Sequence, residues 1–189
     1  TISYSSASFS DESGAVNLAE SETFAVEVPT ATLVDPLPND VFDRETLNDR
    51  AYLDVSLEGT PGSSWIDTHL ALADRIASLE SITDAGAEFT LSGANGANVN
   101  IGSTPNVMYS ETEGGDLLEA TGTSEEILSQ ISDASSVVFR YSYSGSTLDA
   151  GMLNVSFTAD SWVDAGGSSS VESLSQVAII TQAESFFIS

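Results

Sequence analysis

The chain has 189 residues, of which 41% are hydrophobic, and its 29 Asp and Glu residues stand against four Arg residues, for a formal net charge of −25. Such a charge repels phosphate backbones and anionic lipid headgroups, which argues against nucleic acid and membrane surfaces as partners. Cysteine is absent, so disulfides and thiolate metal sites are excluded. No apolar run approaches the roughly 20 residues of a membrane span.

Residues 2–28 are the first predicted element, a β-hairpin. Ile2 and Tyr4 alternate with polar residues, the segment 11–14 (Asp-Glu-Ser-Gly) predicts a turn, and 23–28 predicts the returning strand. A lone hairpin is marginal in water, and its open edges attract another strand. We therefore expect this hairpin to belong, or be donated, to a neighbouring module.

The opening hairpin is repeated near the other end of the chain. Residues 155–181 align with it without a gap, at an offset of 153 residues (155 minus 2), and apolar residues recur at matching strand positions. A period of about 150 residues is typical of an array of domains, since solenoid repeats run at roughly 20–50 residues. The identical pairs are Ser3/Ser156, Ser8/Ser161, Asp11/Asp164, Gly14/Gly167 and Ala25/Ala178.

This repeat predicts three regions. Residues 1–28 form the terminal hairpin, 29–40 a linker with the first edge strand, and 41–189 a β-sandwich module. Pro29, Pro36 and Pro38 mark the linker because proline interrupts strand ladders and stiffens the chain.

The module begins with a predicted strand in which Leu53, Val55 and Leu57 share one buried face. A helix over about 65–80 follows, because apolar residues and His69 recur there at helical spacing after a capping box that starts at Ser64.

Short strands predominate in the rest of the module. They are predicted over 88–92, 97–101, 106–109 and 136–143, before the closing hairpin over 152–181. A second short helix follows Thr123, which forms a capping box with Glu126. The pattern predicts an antiparallel two-sheet β-sandwich.

Three segments, 43–55, 82–93 and 153–167, resemble the repeated immunoglobulin-like modules of giant bacterial surface proteins, namely RTX-type adhesins and related large extracellular proteins. The resemblance implies a mostly β, immunoglobulin-like sandwich with one or two short inserted helices, in a secreted or cell-surface protein. The first helix stands where such modules usually have a short turn. The glycine-rich nonapeptide of the calcium-binding roll is absent from the sequence, so roll-type calcium binding is not implied.

Acidic residues around the linker suggest a cation site. Asp35, Asp40 and Asp43 flank it, and an immunoglobulin-like topology is expected to bring Asp164 toward Asp35 and Asp40. Ca²⁺ binds six to eight oxygens, which such carboxylates can supply. The prediction is a Ca²⁺ site at these four residues that stiffens the junction between modules. The alternative is that Asp164 and Asp11 cap turns by accepting backbone N–H bonds.

Catalysis is not expected. His69 is the single histidine, and Asp67, two residues before it, faces a different side of a helix. Trp65 and Trp162 could form a sugar-binding platform, but Trp162 aligns with Phe9, and a position filled by any large aromatic residue is typical of a core.

The resulting hypothesis is a structural, non-catalytic module of an extracellular bacterial surface fibre, filament or adhesin stalk. It assembles head to tail through β-strand contacts with copies of itself or adjacent modules of the same polypeptide, and bound Ca²⁺ stiffens it. The alternative hypothesis is an adhesin domain that binds carbohydrate or a host surface, and a hydrolase is the least favoured.

Overall fold

The computed structural model describes residues 2–23 and 27–181, and these contain three β-sheets and three short α-helices. Residues 24–26 of the predicted second strand and 182–189 of the predicted module lie outside the described residues. The helices are α1 (Arg44–Arg50), α2 (Leu72–Ile82) and α3 (Ser124–Gln130). The strands are β1 (Ile2–Tyr4), β2 (Glu20–Glu22), β3 (Thr30–Asp35), β4 (Val41–Asp43), β5 (Tyr52–Glu58), β6 (Phe89–Ser92), β7 (Val99–Ile101), β8 (Asn106–Ser110), β9 (Leu118–Ala120), β10 (Ser136–Gly145), β11 (Gly151–Phe157) and β12 (Ser173–Ile180).

The strands after β2 form two sheets. One has the order β3-β5-β10-β8-β9, with β7 also pairing with β10, and the other has the order β4-β12-β11-β6. β1 and β2 form a separate two-stranded sheet. The pairs found in the described ranges are antiparallel except β4 with β12, which is parallel. The predicted mostly β, antiparallel architecture is confirmed at this level, and β3 lies at a sheet edge as expected.

One hydrophobic core lies between the two sheets. Leu53 and Val55 of β5 are fully buried, as is Val155 of β11, because alternate residues of each strand face inward. The rings of Phe89 and Tyr141 meet edge to face across the core, with centroids 5.0 Å apart. The predicted buried face of β5 is confirmed.

The first predicted helix is wrong in its bounds, since α2 begins at Leu72 rather than near 65. The Asp67 carboxylate accepts the Ser64 N–H at 3.0 Å, as in a capping box, but successive turns follow it instead of a helix. Trp65 is buried and its indole N–H donates to the Leu57 carbonyl, which fixes this segment against β5. The packing of Trp65 against β5 therefore accompanies a non-helical conformation of residues 65–71, which the sequence analysis placed in the helix.

The second predicted helix is confirmed as α3. The Thr123 hydroxyl accepts the Glu126 N–H, and the Glu126 carboxylate accepts the Thr123 N–H at 2.7 Å, which completes the capping box. None of the helices in the described part of the chain is long and apolar enough to cross a membrane.

The sequence analysis missed the helix α1 and the strands β4 and β9. The N-cap of α1 is Asp43, whose carboxylate accepts the Thr46 N–H at 2.9 Å, and Leu47 is its single buried residue. One buried residue in a seven-residue helix gives no apolar period to detect. β4 and β9 have three residues each, too few for a visible alternation.

Candidate functional site

The two copies of the repeated hairpin have the same pairing register. Each backbone pair of the first hairpin recurs 153 residues later in the second, from the paired strands to the bridge that closes the turn. The corresponding Cα pairs are Ile2–Glu22 (Val155–Ser175), Ser3–Ser21 (Ser156–Leu174), Tyr4–Glu20 (Phe157–Ser173) and Ser10–Val16 (Val163–Ser169). The alignment that the sequence suggests is therefore also an alignment of backbone hydrogen bonds. Below, residues 2–23 are called the opening hairpin and residues 155–181 the closing hairpin.

The turns of the two hairpins are also alike. Asp11 Oδ1 accepts the backbone N–H groups two and four residues later at 2.9 and 3.0 Å, and Asp164 Oδ1 accepts its equivalents at 3.0 and 2.8 Å. Gly14 and Gly167 both adopt a positive φ, 85° and 82°, which favours glycine at this position of each turn. The interpretation of Asp11 and Asp164 as turn-capping residues is confirmed.

Burial separates the two copies. In the opening hairpin Phe9 is 63% exposed, whereas its counterpart Trp162 in the closing hairpin is 1% exposed. All described residues of the opening hairpin are exposed except the half-buried Asn17. Other large apolar side chains exposed in the opening hairpin are Ile2, Tyr4, Val16 and Leu18. The opening hairpin thus has the geometry of the closing hairpin without the packing that buries it.

The loop after β5 holds the turn of the closing hairpin. Asp164 Oδ2 accepts both the backbone N–H of Thr60, at 3.1 Å, and its hydroxyl, at 2.6 Å. The Ala165 N–H donates to the Ser63 carbonyl at 2.9 Å. Asp164 is 2% exposed, so each oxygen of a buried carboxylate is paired, as burial of a charge requires.

Helix α2 and strand β3 complete the receiving surface. The Ser78 hydroxyl donates to the Val163 carbonyl at 2.8 Å. The Val171 N–H donates to the Pro29 carbonyl, and two serines of β12 bond to the backbone of β3. We call the β5–α2 loop, α2 and β3 together the hairpin slot.

Hydrogen bonds lower the pKa of both turn carboxyl groups. For Asp11 the largest cause is the Ser13 hydroxyl, followed by the Ala15 N–H. Burial raises the pKa of Asp164, but the hydrogen bonds from Thr60 and from the turn backbone outweigh it, so its pKa lies below the ordinary value of 3.8. Both carboxyl groups are therefore ionised near neutral pH.

The predicted cation residues lie at two ends of the sandwich. Asp43 pairs with Ile180 at the last residue of β12, and the Asp40 carbonyl accepts the Ala178 N–H. Asp164 precedes the other end of β12, which spans seven steps from 173 to 180, or roughly 23 Å at 3.3 Å per residue. The expected approach of Asp164 to Asp35 and Asp40 is wrong, because β3 and β12 each run the length of the sandwich between them.

Two of the linker carboxylates have protein partners. Asp35 accepts a hydrogen bond from the Arg50 guanidinium at 2.6 Å, and that guanidinium also lies 4.9 Å from the centre of the Phe42 ring. Asp43 caps α1. In the described ranges no group of three or more His, Cys, Asp or Glu side chains is arranged to hold a metal ion. Calcium binding by Asp35, Asp40 and Asp43 stays a prediction, whereas Asp164 lies too far from them to share their site.

Sequence reasoning missed two buried carboxylates, Asp54 and Glu88, which are each 2% exposed. Arg140 of β10 binds Asp54 of β5 through two hydrogen bonds of 2.8 and 2.7 Å and stacks on Tyr52. Arg140 and Asp54 lie opposite each other on the paired strands β10 and β5. The sequence could have suggested this ion pair only if the register of the two strands were known. Glu88 lies against the closing hairpin, and burial raises its pKa to about 7, while a hydrogen bond with Ser161 lowers it and the charge of Asp84 raises it.

The remaining sequence candidates do not form a site with catalytic geometry. His69 is exposed in the turns before α2. Trp65 and Trp162 are both buried, 3% and 1% exposed, so the interpretation of Trp162 as a core residue is confirmed and the two rings offer no sugar platform.

A groove of about 680 Å³, lined by Leu57 and Trp65 among others, opens where β5 and β10 separate.

Comparison of the chain with protein-family models, with curated proteins and with solved structures found no match.

Proposed function

We propose that this chain is a structural, load-bearing module of an extracellular bacterial surface fibre or adhesin stalk, built on an immunoglobulin-like sandwich. The strand order supports the fold. β3-β5-β10-β8 corresponds to the A-B-E-D sheet of an immunoglobulin domain, and β6-β11-β12 corresponds to its C-F-G sheet. The extracellular setting is supported by the sequence resemblance to surface-protein modules.

The parallel pairing of β4 with β12 carries the proposal. β4 lies near the start of the sandwich, and β12 is the last strand within the described residues. Val41 lies opposite Ala178 and Asp43 opposite Ile180. Tension on the two ends of a sandwich pulls such parallel strands in opposite directions along their length. All hydrogen bonds between them then carry the load together.

Hydrogen bonds beside this strand pair extend the contact. The Asn39 N–H donates to the Gln176 carbonyl at 2.7 Å, and the Ala178 N–H donates to the Asp40 carbonyl at 3.0 Å. We call β4, β12 and residues 39–40 the strand clamp. A module whose ends are joined by such a clamp suits a stalk, which must resist extension, and the array partners are adjacent modules of the same kind.

Single-molecule force spectroscopy tests the strand clamp. The chain has no cysteine, so a cysteine at exposed Val41 combined with one at exposed Ile180 gives unique handles that shear β4 against β12. We expect a high unfolding force in this geometry, because several hydrogen bonds must break at once.

The matched control uses the same first handle with a cysteine at half-buried Ala178, which lies directly opposite Val41, so that the force acts across the strands. Both handles then pull from the same end of the paired strands and peel them apart one hydrogen bond at a time, so we expect a several-fold lower unfolding force. Equal forces in the two geometries, with unchanged thermal stability of both variants, would contradict a load-bearing module.

A further inference from the structure

The opening hairpin exposes the side chains that a closing hairpin buries. Ile2, Tyr4 and Phe9 are 46%, 46% and 63% exposed, whereas the corresponding Val155, Phe157 and Trp162 of the closing hairpin are 0%, 3% and 1% exposed. Because register and turn are the same in both copies, these three side chains lie on the side that faces a core in the closing hairpin. An exposed apolar face of this kind is typical of an interaction surface.

The hairpin slot of this chain cannot receive the opening hairpin, because its own closing hairpin fills it. Asp164 already takes the N–H and hydroxyl of Thr60, and Trp162 is buried in the core. An incoming hairpin would have to displace a segment whose β11 pairs with β6 and whose β12 pairs with β4. A second copy of this chain is therefore a poor partner.

One turn residue also mismatches this slot. Ser13 corresponds to Gly166, where an added Cβ would lie 2.9 Å from the Ser63 Cβ, closer than two carbons can approach without a shift. The partner must have more room at the position of Ser63.

Two strand residues of the opening hairpin also differ from the residues that fit the hairpin slot of this chain. Glu20 and Glu22 correspond to Ser173 and Ser175, and Ser175 is 6% exposed. The Ser173 hydroxyl donates to the Ala31 carbonyl at 2.8 Å, a contact that a carboxylate cannot make. The partner must therefore present hydrogen-bond donors or positive charge beside these two strand positions.

We propose that the opening hairpin is the closing hairpin of a second, related but non-identical sandwich body that has no closing hairpin of its own. Phe9 fills the position of Trp162 in that body, and Asp11 accepts hydrogen bonds from its Thr60 equivalent. This inference rests on the proposed array of modules and identifies the contact that joins neighbours. The partner has a hydroxyl or N–H donor at the turn and basic or donor groups facing Glu20 and Glu22.

A fused chain tests this proposal. A copy of residues 27–153 is placed directly before Thr1 of the full chain, since Thr1 aligns with Asn154 at the offset of 153 (154 minus 1). One version keeps the opening hairpin as it is, and another carries Ser13→Gly, Glu20→Ser and Glu22→Ser, which remove the three mismatches. Phe9→Trp is introduced into both versions and into the unfused chain. The emission of the matching protein with Phe9, which contains the other tryptophans, is subtracted from each to give the fluorescence of residue 9.

We expect a blue shift of the residue 9 emission in the adapted fusion, relative to the unfused chain, and a cooperative melt of the front body. The unadapted fusion should show a smaller shift. A control fusion in which 155–181 replaces 2–28 should give a folded front body, and Phe9→Asp should abolish folding of the front body in the adapted fusion.

Three results would overturn the proposal. One is an exposed residue 9 in the adapted fusion while the control fusion folds. Another is an equal shift in both fusions, which would remove the argument for a non-identical partner. The last is sedimentation of the unfused chain as polymers that Phe9→Asp dissolves, which would make a second copy the partner. None of these depends on mechanical strength, so the strand clamp can fail its force test without affecting this outcome.

Discussion

The opening and closing hairpins share a backbone and differ in their surroundings. Both have an Asp-capped turn and the same strand register, yet Trp162 is buried and Phe9 is 63% exposed. Local sequence is thus sufficient to specify the turn and the register, whereas packing against the hairpin slot decides whether the hairpin contributes to a core. A hairpin outside a core contributes little to the free energy of unfolding, because most of that energy comes from buried apolar surface.

The largest predicted difference lies at the two aligned aromatic residues. Trp162→Ala should lower the free energy of unfolding by about 3–5 kcal/mol, because it leaves a large cavity in the core. Phe9→Ala should change it by less than about 0.5 kcal/mol, as is usual for an exposed residue. Urea denaturation of both variants followed by circular dichroism measures the difference. A comparable loss in both variants would mean that the opening hairpin also packs on the body of its own chain.

A smaller effect is expected at the two turn carboxylates. Asp164→Asn should cost about 1–3 kcal/mol, because the amide has one acceptor oxygen where the carboxylate has two, so its NH2 group faces either the Thr60 N–H or the N–H groups of Gly166 and Ser168 and leaves a buried donor unpaired. The matched variant Asp11→Asn should leave global stability unchanged, since Asp11 is exposed.

The pH dependence of stability sharpens this second comparison. The folded-state pKa of Asp164 lies below the ordinary 3.8. The contribution of this carboxylate to the free energy of unfolding is therefore fully present above pH 3.8, and it is lost as the pH falls through the lower folded-state pKa. Acid denaturation should therefore be less steep below pH 3.8 for Asp164→Asn than for the unchanged chain. Identical acid transitions for the two proteins would exclude Asp164 as a source of that stability.

Removal of calcium should have the smallest effect on stability. The residues concerned lie at the end of the sandwich opposite to Asp164. If the linker carboxylates bind Ca²⁺, a chelator lowers the melting temperature, and Asp40→Asn removes that response while Asp164→Asn keeps it, because Asp164 lies at the far end of β12. Differential scanning calorimetry with and without chelator measures the shift. An unchanged melt in chelator would end the calcium prediction.

Several features could be predicted from sequence because neighbouring residues determine them. The alternation in β5 predicted its buried face, the Thr123–Glu126 capping box predicted α3, and the repeat predicted two hairpins of one design. Each depends on residues that are close in the chain, where side-chain direction and hydrogen bonding follow from local geometry.

Contacts between distant residues were decided by the tertiary structure alone. The Trp65 side chain packs against β5, and α2 begins after it, at Leu72. The β4–β12 pair joins segments more than a hundred residues apart. Asp164 binds Thr60 rather than approaching Asp35. Such contacts depend on which strands become neighbours, and that choice is made by the burial of the whole core. Burial also distinguishes the two hairpins. Local sequence gives both the same turn and strand register, but only the closing hairpin packs in the hairpin slot of this chain.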